Sequence, residues 1–195
     1  MTGGYLKGRI RREDILAAAV TVYGEVGYHG SSLREIAKRA GITHAGLLYH
    51  FPNKESLLAA VLERRDALDA AREQLQARPG LEVLRRYLAL AEHNVGNPGI
   101  VDLYSRLAAE AVAEDHPAHE YFVRHYRMAR AGVLESFRAM ADSGELREGV
   151  DPEVAALTFI ALMDGLQVQW LTTPDEVDLV GSLEFYLRSL LTVGL

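Results

Sequence analysis

The sequence predicts an all-α protein of about nine helices, with an N-terminal head of three helices and a longer helical body. Three observations lead to this prediction. Apolar residues recur every three or four positions along most of the chain. Breakers such as Arg78-Pro79-Gly80 and Asn97-Pro98-Gly99 separate these segments. No stretch alternates convincingly as a strand does. We place the boundary at residue 55, with the head at 1–55 and the body at 56–195.

The head is predicted to contain a helix to about residue 26, a loop bracketed by glycines, and then two short helices. Ser32 is placed to cap the second helix, and Glu35 completes a capping box. Gly41 stands where a helix end requires a positive φ, and Thr43 can cap the third helix, which runs to about residue 51. Asn53 is a suitable cap for the fourth helix. Helix, glycine turn and short helix form a helix-turn-helix pattern, whose second helix enters the DNA major groove.

The body is divided by prolines and glycines into further helices. The fourth helix is expected to reach about residue 77, and the next two to cover 81–94 and 100–114. The seventh should begin with Pro117 at its first position and end near residue 142. Asp151-Pro152-Glu153 and Thr173-Pro174-Asp175-Glu176 each combine a cap, a proline and an acidic first turn, so the last two helices should begin there.

Composition excludes several classes of protein. The chain has 195 residues, 49% of them hydrophobic, and no cysteine, which excludes disulfides and thiolate metal sites. No uninterrupted apolar run approaches the length of a membrane span, and the N-terminus lacks the apolar core of a signal peptide, so we expect a cytoplasmic protein. Net charge is −6, yet residues 1–65 hold ten Lys/Arg and six Asp/Glu. This basic head on an acidic body would direct phosphate toward the head.

The segment IAKRAGITHAGLLYHFPNKESLL resembles the DNA-binding segment of the TetR family of transcriptional regulators. The shared features are the Ala40-Gly41-Ile42-Thr43 turn, Tyr49-His50-Phe51 and Asn53-Lys54-Glu55. The close match covers about residues 10–62, and beyond it only length and helical layout agree. The resemblance implies a DNA-binding regulator, a repressor that releases a palindromic operator when a small molecule binds its body.

The resemblance also assigns candidate DNA-binding residues. His44, Ala45, Leu48 and Tyr49 would lie near base edges or the backbone, on the exposed face of the third helix. The remaining candidates are suited to phosphates or match the family's aromatic-histidine pair: Ser32, Arg34, Thr43, His50 and Lys54. The chain departs from the usual family pattern at Ala45, Gly46 and Leu48, so the operator sequence cannot be predicted from it.

The last two helices are apolar around much of their circumference, which predicts burial on more than one side. Either they form the core of a monomer, or one side meets a second copy; the resemblance favours a homodimer through these helices. It also implies an effector site in the body, for which an aromatic lining would suit an apolar or aromatic molecule. Its candidate residues, which could equally be ordinary core, are Tyr87, Tyr104, Phe122, Tyr126, Phe159, Met163, Asp164, Gln167 and Trp170.

Other functions have weaker support in the sequence. His116, His119 and His125 lie near acidic residues, but they do not share a helix face, so we predict no metal site and no cofactor. No catalytic motif has a convincing context, and we predict no enzyme. Two alternatives stay open: a helical small-molecule binding protein whose DNA head is vestigial, and a helical enzyme that uses the acidic body.

Overall fold

The structure, a computed structural model, describes the backbone of residues 3–73 and 78–195 and the side chains of residues 11–65 and 78–195. Within these ranges the chain forms nine α-helices and no strand, which confirms the predicted all-α class. The helices are α1 Gly3–Gly30, α2 Leu33–Arg39, α3 His44–His50, α4 Lys54–Glu73, α5 Leu81–Val95, α6 Pro98–Glu110, α7 His119–Asp142, α8 Pro152–Thr172 and α9 Leu179–Leu190.

The chain divides into two compact units. The first comprises Met1–Arg72 and Asp102–Glu120, and the second comprises Glu73–Val101 and Tyr121–Leu195. The first unit therefore contains α1 to α3, most of α4, and the greater part of α6. The second contains α5 and α7 to α9. The functional boundary at residue 55 stays a prediction, because these units are defined by packing alone.

The first unit is held together by an apolar core that several helices share. In α1, α2 and α3 the apolar residues recur at helical spacing and face one another, as the sequence pattern predicts. Its large, almost fully buried members include Ile15, Leu16, Tyr23, Ile36, Leu47, Leu57, Leu58 and Leu107. Val26, near the end of α1, is 47% exposed although its spacing continues the apolar pattern of the helix. Gly27 follows it, and its φ of 72° and ψ of 178° interrupt the helix at that point.

Local capping follows the sequence closely around α2 and α3. The Ser32 side chain accepts a hydrogen bond from the Glu35 backbone N–H at 3.2 Å, and Thr43 Oγ1 accepts one from the Gly46 N–H at 3.0 Å. Gly41 has a φ of 66°, the left-handed conformation that the turn requires. These three local interactions set the geometry of the helix-turn-helix.

Several helix limits differ from the predictions. The helical segment of α1 continues past Gly27 to Gly30, and α6 begins at Pro98 rather than at residue 100 and ends at Glu110. The predicted start of α7 at Pro117 is wrong, because residues 111–118 form turns in which the buried His116 ring accepts the Ala118 N–H. The predicted start of α9 near residue 174 is also wrong. The helix begins at Leu179, and its cap is Asp178, whose side chain accepts the Gly181 N–H at 2.9 Å. Residues 74–77, where α4 was expected to end, lie outside the described residues.

The second unit packs around α8. Asp151 caps this helix, as expected, by accepting the N–H groups of Glu153 and Val154. Buried residues of α8 pack in one cluster with apolar residues of α5, α7 and α9. The helix is also long and apolar enough, by length and composition alone, to cross a membrane. The core helix of a soluble protein passes the same test, and Phe159, Ile160 and Met163 of this helix are buried inside the unit.

Candidate nucleic-acid interface

The outer face of α3 presents side chains that could meet base edges. Tyr49 is 87% exposed and Leu48 37%, whereas Leu47 on the opposite face is fully buried. Ala45 is exposed, and His44 and His50 are half-buried. The Tyr49 and His50 rings lie edge to face, with centroids 5.4 Å apart. Because Leu47 fixes the rotation of α3 in the core, the faces predicted for its side chains agree with their exposure.

A concave surface of about 630 Å³ lies beside α3 and carries positive charge. It is lined by the glycine turn and by residues of α1, α2 and α3: Arg11, Lys38, Gly41, Ile42, Thr43, Gly46 and His50. Lys38, which was not among the residues predicted for the site, has its basic side chain near the end of α2, beside the turn. Lysine, arginine and backbone N–H groups near such a surface are the usual donors to phosphate.

Basic side chains around this surface fall into two groups. Arg39 donates two hydrogen bonds of 2.7 Å to the Glu25 carboxylate, and these bonds hold the pKa of Glu25 below its usual range. The Arg12 guanidinium lies 5.0 Å from the centre of the Phe51 ring. These two side chains are therefore engaged within the head. Arg34 and Lys38 are exposed on α2, and Ser32 is exposed at its N-terminus.

Lys54 has a structural role that the sequence did not predict. Its ammonium group donates to the Ser31 carbonyl oxygen at 2.7 Å and lies 4.3 Å from the centre of the Tyr28 ring. Burial lowers the pKa of Lys54. The Tyr28 hydroxyl donates to Glu55 at 3.2 Å, so the first turn of α4 is tied to the end of α1. Since an ammonium group has three N–H donors, the Ser31 bond leaves others for a phosphate.

The candidate effector-site residues are divided between the two units. Tyr104 lies in the first unit, buried, with the Arg65 guanidinium 3.3 Å from its ring centre. The other eight lie in the second unit. There the Tyr87 and Phe159 rings meet edge to face at 5.6 Å, and Met163 and Trp170 belong to the same buried cluster. Phe122 lies beside Tyr126 at 6.2 Å. Gln167 is buried and Asp164 half-buried on α8.

Large apolar side chains remain exposed on the last two helices. Phe185 on α9 is 77% exposed. On α8, Val154, Leu157 and Val168 are each more than half exposed. Scattered exposed apolar residues are ordinary in a soluble protein, but four of them on the two consecutive helices α8 and α9 mark a candidate interaction surface.

Two segments of the chain match known protein families. Residues 15–61 match the family described as bacterial regulatory proteins, tetR family, and residues 82–192 match the one described as BetI-type transcriptional repressor, C-terminal. The first match spans the helix-turn-helix described above, and the second covers more than half of the chain.

Individual relatives agree with the family matches. The chain is 29% identical over 184 residues to the HTH-type transcriptional regulator TtgR of Pseudomonas putida, covering 89% of this chain and 86% of TtgR. It is 30% identical over 158 residues to the HTH-type transcriptional repressor AcnR of Corynebacterium diphtheriae, covering 80% and 78% of the two chains. The structure of a SmeT–triclosan complex superposes with a TM-score of 0.75 at 24% identity, over 95% of this chain and 93% of SmeT, which shows a shared fold.

Proposed function

Because this chain belongs to the TetR family of bacterial regulatory proteins, and is therefore a DNA-binding transcriptional regulator, we propose that it acts as a homodimeric repressor whose hold on a palindromic operator is released by a small molecule. Family members bind operator DNA, respond to small-molecule effectors and dimerise. The observation that carries the proposal is the exposed face of α3 beside a basic concave surface.

We assign the side chains of this head two roles. His44, Ala45, Leu48 and Tyr49 approach base edges or the backbone in the major groove. The phosphate contacts come from Ser32, Arg34, Thr43, His50 and Lys54, to which the concave surface adds Lys38. These groups are exposed or half-buried on the head, which supports a functional rather than a vestigial DNA-binding head. A functional head favours regulation over simple small-molecule binding. No catalytic role is proposed, because regulators of this family are generally not enzymes.

The dimer is proposed to form through α8 and α9. The support is their exposed apolar set, with Phe185 the most exposed member. In a two-fold dimer the two α3 helices would read half-sites about 34–36 Å apart or a multiple of that distance. A DNA-binding regulator of this kind is expected to work in the cytoplasm.

The effector is proposed to be an apolar or aromatic molecule held in the second unit near Tyr87, Phe159 and Trp170. The edge-to-face contact of Tyr87 and Phe159, the burial of Trp170 in the same cluster and the few polar groups on α8 support this chemistry. A protein of the same fold, SmeT, has been solved with triclosan. Release from DNA requires that the effector bind more tightly to the conformation that cannot bind DNA. An effector with equal affinity for both conformations would leave their populations unchanged.

The test is a titration of the protein against a labelled duplex taken from DNA flanking its own gene, over a series of salt concentrations. Arg34→Ala should weaken binding to every duplex and reduce the slope of log affinity against log salt by about one unit. Arg124→Ala, an exposed arginine of α7 in the second unit, is the matched control and should leave the slope unchanged. An equal slope for all three proteins would reject the phosphate role of α2.

A further inference from the structure

A cluster of two histidines and a glutamate lies in the first unit, apart from α3. It joins His29 in the last turn of α1, Glu110 at the end of α6, and His116 in the following turns. One donor atom from each side chain lies within 4.8 Å of the other two. Glu110 and His116 are six residues apart, whereas His29 is distant from both in sequence, so its convergence with them is a product of the fold.

The glutamate is held in position by the end of α1. Glu110 Oε2 accepts the Tyr28 backbone N–H at 2.9 Å. Its other oxygen, Oε1, occupies space that a Cβ on Gly27 would fill, so the carboxylate packs directly against the chain where α1 is interrupted. A carboxylate with one oxygen fixed in this way keeps lone pairs for a further ligand.

The buried histidine has one ring nitrogen without a hydrogen bond. The His116 side chain is 0% exposed. Its Nδ1 accepts the Ala118 N–H at 3.1 Å, whereas Nε2 forms no hydrogen bond with any described residue and faces Glu110 Oε2 at 3.5 Å. A buried ring nitrogen without a hydrogen bond is uncommon, and a change of tautomer at His116 would free the Nε2 lone pair for a ligand. The His29 and His116 rings are 5.2 Å apart between centroids, with His29 on the exposed side.

We propose that His29, Glu110 and His116 form a binding site for a divalent transition-metal ion, Zn²⁺ in the first instance. Two imidazoles and a carboxylate are a common three-ligand set for zinc, with water as the fourth ligand. With zinc bonds of about 2.0–2.2 Å, tetrahedral donors lie roughly 3.4 Å apart. The His116–Glu110 separation already matches this spacing. The exposed His29 ring has a donor atom within 4.8 Å of the other two and would supply the third ligand. Mg²⁺ and Ca²⁺ prefer sets made of oxygen atoms and do not fit.

Metal binding has a specific consequence for the turns before α7. Because Nδ1 of His116 accepts a hydrogen bond, the neutral ring carries its proton on Nε2, the atom that faces the metal position. If a metal ion binds Nε2, the proton moves to Nδ1. The Nδ1–H group of His116 and the backbone N–H of Ala118 would then point at each other. The Ala118 amide must then give up its bond to the ring. This amide is therefore a reporter of occupancy at His116.

The site is tested by titrating the full-length protein with ZnCl₂, and separately with MgCl₂, in a calorimeter. We expect one Zn²⁺ per chain and no Mg²⁺ binding. His29→Gln, which changes only an exposed side chain, should weaken Zn²⁺ binding by more than about 10–100-fold, the loss typical of removing even a supporting residue. His125→Gln, in the second unit, is the matched control and should leave the affinity unchanged.

A second measurement follows the Ala118 amide by NMR during the same titration. A Zn²⁺-dependent shift of this resonance that is absent in His29→Gln supports the site. Failure to bind Zn²⁺, or binding that His29→Gln leaves unchanged, would overturn it, because surface histidines would then account for any uptake. Neither measurement uses DNA, so the outcome is independent of the proposed regulatory function.

Discussion

Replacing Gly27 by alanine tests how the end of α1 is built. Gly27 has a φ of 72° and a ψ of 178°, a combination that is almost confined to glycine. A Cβ at this position would also overlap Oε1 of Glu110, whose other oxygen accepts the Tyr28 N–H. The substitution therefore strains the backbone and displaces a hydrogen-bonded carboxylate at the same time.

The expected cost has two parts. A non-glycine residue in this region of φ and ψ costs about 1–3 kcal/mol. If the Glu110 carboxylate swings away, the loss of a hydrogen bond to a charged group adds about 1.5–3 kcal/mol. Gly27→Ala should thus lower the free energy of unfolding by about 2.5–6 kcal/mol, a large share of the roughly 5–15 kcal/mol available to a folded protein.

The assay is urea denaturation followed by circular dichroism, with the protomer concentration held fixed because dimerisation contributes to stability. Gly132→Ala is the matched control: no atom lies within 4 Å of its Cβ position inside α7, so it should stabilise by roughly 0.5–1 kcal/mol. The double variant Gly27→Ala, Glu110→Ala should cost less than the sum of the two single variants, since the hydrogen bond is lost only once. A change within about 0.5 kcal/mol for Gly27→Ala would refute this account.

Three further predictions concern the head and the last helices. Lys54→Ala should weaken binding to all duplexes alike and reduce the slope of log affinity against log salt by about one unit. It should also lower the free energy of unfolding, because the hydrogen bond to the Ser31 carbonyl is lost. An unchanged slope would leave Lys54 with a structural role only. Burial raises the pKa of Tyr28 to about 12, so the folded state keeps a proton that the unfolded chain loses. The free energy of unfolding should therefore fall as pH rises above 10, the usual pKa of tyrosine, and Tyr28→Phe should flatten that fall in urea titrations. Phe185→Asp should shift the protein toward monomer in analytical ultracentrifugation, whereas Met128→Asp, which changes an equally exposed residue of α7, should not; a dimer in both variants would place the interface elsewhere.

Short-range rules predicted the parts of the fold that short-range chemistry controls. The caps formed by Ser32, Thr43 and Asp151 depend on residues within three positions, and each is present. The predicted starts of α7 and α9 were wrong, although the contacts found there also lie within three positions. Proline at a first helical position is only a preference, and at α7 the buried ring of His116 keeps the preceding residues in turns instead.

The same division applies to the candidate sites. The exposed face of α3 followed from helical periodicity alone, because Leu47 had to point into the core. The bond from Lys54 to the Ser31 carbonyl could not be predicted, since it depends on how α4 packs against the end of α1. The convergence of His29 with Glu110 and His116 likewise depends on tertiary packing. Histidine spacing along the chain pointed only to residues 116–125, and it carried no signal for His29.

The most direct test of the account is the binding stoichiometry and specificity of the purified protein on duplex DNA. Fluorescence anisotropy with the duplex flanking its gene, compared with a scrambled duplex of equal length and composition, measures both. We predict two chains for each palindromic site and an affinity at least about 10³-fold higher than for the scrambled duplex. A monomer that binds both duplexes equally would contradict the account.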